Sequence, residues 1–227
     1  MAMNEDDAAP ANARDTPKSL RTRARILDRA LELFAEIGYA AATNAEIAVR
    51  AGLTRGAMLY HFPTREALTR AAAEHIQGRR AALLAAAEAE TPPEADLAEH
   101  AIDVYWRLLQ TPPFLAFAEL EHAARTDSLV AAAIAGAQAE YDQNQAVHML
   151  QAGAGPRFQA SRDLARFMLE GLSKAKLTYD APERTANLLM VIKRATHMLN
   201  RKRDLQDLWP EDQPGSVRTR GAIGEAD

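Results

Sequence analysis

The chain has 227 residues, enough for one large domain or two small ones with a fully buried core. It contains no cysteine, which excludes disulfide scaffolds, thiolate zinc sites, iron–sulfur clusters and cysteine nucleophiles together. The net charge is −4, yet residues 14–80 hold 12 Lys and Arg against 7 Asp and Glu, so a basic segment is set on an acidic body. That asymmetry points either to a polyanion partner for the first part only or to a solvated helix surface with surplus arginine.

In chain order, residues 1–15 read as an acidic disordered tail with neither the basic region nor the apolar stretch of a signal peptide. Thr16 and Pro17 then read as an N-cap and first helical position. Ile26, Ala30, Leu33, Phe34 and Ile37 recur at helical spacing until Gly38, which predicts the first helix. Thr43-Asn44-Ala45-Glu46 is a capping box opening a short second helix that stops at Gly52. Thr54 caps a third helix running to Phe62, Pro63 closes it and Thr64 caps a fourth. Two short capped helices around a glycine turn form a helix-turn-helix pattern, with Ala48 and Gly52 small where the helices approach. The fourth helix is expected near 65–90 and five further ones near 94–110, 114–125, 127–152, 160–179 and 182–207, separated by Pro, Gly and Asp breaks, and 210–227 reads as a second disordered tail. The fold class is therefore all-α, with domains at 16–64 and 65–209. The apolar window from Ser128 to Ala139 is too short to span a bilayer, so the expectation is a cytoplasmic protein with no membrane partner.

A helical wheel on the third helix puts Met58 and Phe62 inside and Tyr60 opposite them, with Gly56 nearby and Arg55 in the first turn. A bidentate cation, small residues that admit a close backbone, an aromatic hydroxyl and the flanking His61 suit base edges and phosphates in a major groove. Thr43 and Asn44 at the second helix, Thr54 and Ala57 at the third, and Thr22 and Arg65 beside them complete the candidate DNA-binding set. Lys18, Arg21 and Arg25 add cations for sequence-independent contacts.

From about Thr22 to Leu68 these residues resemble the tetracycline-repressor (TetR) family of bacterial regulators. The resemblance is carried by residues 26–39, by Thr43 to Ala48, by AlaGlyLeuThrArgGlyAlaMetLeuTyrHisPhePro at 51–63, and by Thr64 to Leu68. It implies a three-helix DNA-reading domain, a divergent ligand-binding domain, a two-fold dimer built largely on the last two long helices, a palindromic double-stranded operator and release by a small-molecule effector. The family pattern Gly-x-Leu-Tyr-x-His-Phe is altered in Gly56-Ala57-Met58-Leu59-Tyr60-His61-Phe62, where leucine stands at the tyrosine position and Tyr60 follows one place late. The DNA-backbone contact of that tyrosine is not carried over to Leu59, and whether Tyr60 takes it up is open at this point.

In the body, Trp106, Phe117, Tyr141, Met149 and Phe167 are candidates for an effector pocket, although aromatic and methionine side chains at helical spacing also build ordinary cores. Leu164, Phe167, Met168 and Leu172, then Leu188, Ile192 and Leu199, form stripes that suit a helical dimer seam or this chain's own interior. Glu119 and His122 make a single Glu-x-x-His, half of a di-iron motif. A helical metal- or ligand-binding protein or enzyme with an incidental helix-turn-helix is the alternative. No phosphate loop or nucleophile motif supports catalysis, so neither enzyme activity, a cofactor nor a metal is expected.

Overall fold

The computed structural model describes the backbone of residues 16–94, 96–151, 156–176, 178 and 181–201, and the side chains of these residues apart from 145–151, 156–158 and 201. The expected tails at 1–15 and 210–227 lie outside the described residues, as does the end of the last helix beyond 201. Among the described residues there are nine α-helices and no strand: α1 (Pro17–Ile37), α2 (Asn44–Arg50), α3 (Arg55–His61), α4 (Arg65–Ala89), α5 (Leu97–Leu108), α6 (Pro112–Ala124), α7 (Ser128–Gln151), α8 (Pro156–Lys176) and α9 (Pro182–Arg201).

Short-range chemistry fixes the first four. Thr16, Thr43, Thr54 and Thr64 each sit in extended backbone, and each side chain accepts from the amide three residues on, at 3.1–3.2 Å. Gly38 ends α1 at φ 81°. After α2 the Gly52 amide bonds to Val49 and the Leu53 amide to Ala48, a Schellman closure that requires the left-handed φ of 64° found at Gly52. A Cβ on Gly52 would meet nothing within 4 Å, so close helix approach is not what glycine supplies there; conformation is. The prolines at 112 and 156 start α6 and α8 rather than separating them, because a first-turn residue needs no amide donor.

Two cores stack along α4. The first gathers Ile26, Leu33 and Phe34 of α1, Ile47 of α2, Met58 and Phe62 at α3, Leu68 and Ile76 of α4, and Phe117, Leu120 and Val130 of α6 and α7. It therefore crosses the expected boundary at residue 64, with α4, α6 and α7 closing what α1 to α3 begin. The second joins Ile102 of α5, Leu109 at its C-cap, Phe114 of α6, Ala165 and Leu169 of α8, and Ile192 of α9. Arg80 of α4 lies between them. Its guanidinium sits 4.4 Å from the Phe117 ring centroid and 4.6 Å from that of Phe114, one ring from each core.

Candidate nucleic-acid interface

The helix-turn-helix is bolted to its neighbours from the inside. Met58 and Phe62 are each 1% exposed. The Arg23 guanidinium of α1 donates to the His61 carbonyl at 2.7 Å and lies 4.4 Å over the Phe62 ring, which ties the end of α3 to α1. Arg50 of α2 pairs with Glu36 of α1 at 3.0 Å. With its inner face held, α3 turns Arg55, Gly56, Leu59 and Tyr60 outward, with Ala57 half-buried between them. Tyr60 is 54% exposed and meets His61 edge to face, while Leu59 at the family's tyrosine position is 40% exposed. Burial, and then the neighbouring Arg23, push His61 below the ordinary histidine pKa, which favours the neutral ring. A Cβ on Gly56 would meet nothing within 4 Å, so that flank of α3 is open to an approaching surface.

Arg65 departs from the phosphate contact expected of it. Its guanidinium donates to the Tyr39 carbonyl at 2.9 Å, the Ala42 carbonyl at 2.7 Å, the Asn44 side chain at 3.2 Å and the Tyr39 hydroxyl at 3.3 Å, and stacks 4.3 Å over the Tyr39 ring. These donors stitch the α1–α2 loop to α4, and they also occupy the Asn44 carbonyl. Thr22 bonds back to the Lys18 carbonyl within α1. Thr43 and Thr54 spend their hydroxyls as caps while remaining exposed. Arg21 and Arg25 line a cleft with Arg79 of α4 and Pro112 of α6. They stand about 200° around α1 from Arg23, the side chain that faces α3.

In the body a cavity of about 320 Å³ opens between α4, α5, α7, α8 and α9. Of the pocket candidates Tyr141 lines it, together with Tyr105, Leu169 and Arg166. The other pocket candidates lie elsewhere. Phe117 is packed in the first core, Trp106 leans on the second, and Phe167 points away from the cavity at 59% exposure. The Met149 side chain lies outside those described. Tyr105 donates to Glu170 at 2.8 Å, and burial first, then that carboxylate, hold the hydroxyl protonated far above its ordinary range. Beside the cavity runs a relay of side chains: Arg80 donates to Gln77 at 2.8 Å, Gln77 to Gln138 at 2.8 Å, and Gln138 to Asp142 at 2.8 Å.

The seam candidates divide. Leu164, Phe167 and Met168 of α8 and Leu188 of α9 are exposed, whereas Ile192 is 3% exposed inside the second core and Leu172 packs against it; Leu199 is half-buried. Val191 and Met198, which the sequence reading did not select, continue the outward stripe.

Residues 26–72 match the family model described as bacterial regulatory proteins of the tetR family. Over 86 residues the chain is 37% identical to the Mycobacterium tuberculosis transcriptional repressor Rv3405c, covering 38% of this chain and 43% of that one. The chain thus spans under half the length of the curated relatives it matches there. Among solved structures, the multidrug binding protein EbrR complexed with ethidium superposes with a TM-score of 0.56 at 26% identity, over 76% of this chain and 96% of that one. A TetR-family regulator from Rhodococcus sp. superposes with a TM-score of 0.56 over 78% of this chain and 98% of that one, and at 21% identity it shows the fold alone. The segment at residues 26–72 is thus similar to the DNA-binding part of tetR-family regulators, and the helical fold around it is similar to that of EbrR.

The match covers α1 to α3 and the start of α4, and Glu119 and His122 lie outside it. The Glu119 carboxylate stands over Gly38, 3.0 Å from where a Cβ would be, and His122 is exposed. Among the described residues no three His, Asp or Glu side chains converge as a metal site would require, and no helix is long and apolar enough to cross a membrane.

Proposed function

We propose that the chain is a cytoplasmic, ligand-released repressor that reads a palindromic operator as a homodimer. The observation that carries this reading is the outer face of α3, where Arg55, Gly56 and Tyr60 are presented by a helix whose other face is locked into the first core. Arg55 is an exposed guanidinium in the first turn, suited to a bidentate base-edge contact, and Gly56 admits a close backbone. The outward apolar stripes of α8 and α9 supply a surface that a second copy would cover, since contiguous exposed apolar area of this kind marks interfaces. The repressor name of the tuberculosis relative and the ligand complexes of EbrR support repression and a small-molecule effector.

The test is a band-shift titration on a selected operator, run beside sedimentation. Arg55→Ala is expected to cost about 1–3 kcal/mol and to relax discrimination at one base pair per half-site. Phe167→Asp is expected to sediment as a folded monomer and to bind the full operator about 10²–10⁴-fold more weakly. Equal weakening of Arg55→Ala on every sequence would move that residue to phosphate contact. A Phe167→Asp monomer that binds as tightly as the wild type would sink the dimeric reader.

A further inference from the structure

The cavity of about 320 Å³ lies at the small end of the range for organic ligands. Leu84, Ile102, Val104, Ala165 and Leu169 make much of its wall aliphatic. Its two cations are not equivalent. Arg162 forks onto the neighbouring Asp163 at 3.0 and 3.3 Å. Arg166, one turn further along α8, makes no hydrogen bond or ion pair among the described residues, and its Nε is closed off from solvent without a partner.

Arg80 repeats the pattern behind the Tyr141 wall. It is 5% exposed, lies 5.5 Å from the Tyr141 ring centroid and, among the described residues, makes one hydrogen bond, to Gln77, leaving its Nε buried and unmet. Ring faces offset part of the desolvation of such a cation, but they accept no hydrogen bond in the plane of the guanidinium. The Tyr141 hydroxyl also has no partner among the described residues. The acids of the lining, Glu88 and Asp142, are exposed, and Asp142 already accepts from Gln138. What the cavity leaves unsatisfied is therefore donor capacity, and the buried part of it is cationic. A ligand cation would bring like charge to Arg166 and leave its Nε unmet, whereas a planar carboxylate fits the guanidinium fork.

We propose that the effector cavity takes an apolar molecule carrying a carboxylate, its head held by Arg166 and Tyr141 and its body along the aliphatic wall of α5 and α8. This rests on the ligand-released reading of the chain proposed above and takes the cavity as the place where the effector binds.

The experiment is isothermal titration of the full chain with three probes that share an eight-carbon tail: octanoate, octanol and octylammonium. Octanoate is expected to bind at least tenfold more tightly than octanol, as hydrogen bonds to a charged group allow, with octylammonium the weakest. Arg166→Gln is expected to bring octanoate down to the level of octanol while leaving octanol within about twofold, and Arg166→Lys to keep part of the preference. Equal binding of octanoate and octanol, tightest binding of octylammonium, an octanoate preference that survives Arg166→Gln, or no binding of any probe would each overturn the proposal. Operator release is scored separately by band shift, so that octanoate bound without release counts against ligand-released repression and not against the ligand class.

Discussion

The two cores on α4 are built to different standards. In the first, Ile26, Leu33, Phe34, Ile47 and Leu68 are entirely excluded from solvent, and its polar ties, Arg23 to His61 and Arg65 to Tyr39 and Ala42, end on backbone carbonyls. The second is smaller and borders an open cavity, and it keeps guanidiniums with unmet donors at its edge. A close-packed apolar interior resists displacement, whereas a half-lined one yields at lower cost. The contrast matches the proposed division of labour: a reader depends on fixed side-chain geometry, and a sensor has to exchange solvent for ligand.

The largest effect that sharpens the contrast is a pair of cavity-creating substitutions followed by chemical denaturation. Phe34→Ala in the first core is expected to cost about 3–5 kcal/mol, and Leu169→Ala in the second only about 2 kcal/mol, because the second can collapse toward its cavity. Equal costs would show the two cores to be equally tight. Next comes Arg65→Ala. Removing a charged donor that serves two carbonyls is expected to destabilise by about 2–3 kcal/mol while leaving the salt dependence of operator binding unchanged. A slope lowered by about one unit at unchanged stability would return Arg65 to the phosphate backbone. The smallest effect compares two glycines by thermal melting. Gly52→Ala is expected to lose about 1–2 kcal/mol through its left-handed φ, and Gly56→Ala to be neutral or stabilising by up to about 1 kcal/mol.

Much of the first core was legible because it is local. Four threonine caps, the apolar period of α1 and the two punctuating glycines all act within a few residues, and the sequence carries them openly. The role of Arg65 was not legible, because its partners at 39, 42 and 44 meet it only after two helices have folded back. The cavity was read poorly for a different reason. Helical period tells which way Trp106 and Phe117 turn, but not whether the inward side is packed or hollow. On α9 the expected stripe and the exposed one are offset by one position after Leu188: Ile192 and Leu199 give way to Val191 and Met198, a rotation of about 100° that composition alone leaves undetermined. Arg80 gave no signal at all, since a lone arginine on an amphipathic helix reads as surface.

The relay from Arg80 through Gln77 and Gln138 to Asp142 has a polarity. A guanidinium can only donate and a carboxylate can only accept, so the two glutamines between them are each left one orientation, oxygen toward Arg80 and nitrogen toward Asp142. Turning either amide over would set oxygen against oxygen on one side and nitrogen against nitrogen on the other. Charges at the two ends thus align both amides like magnets in a row, and α4 and α7 are held in one registry by a pure donor, two amides that each accept and donate, and a pure acceptor.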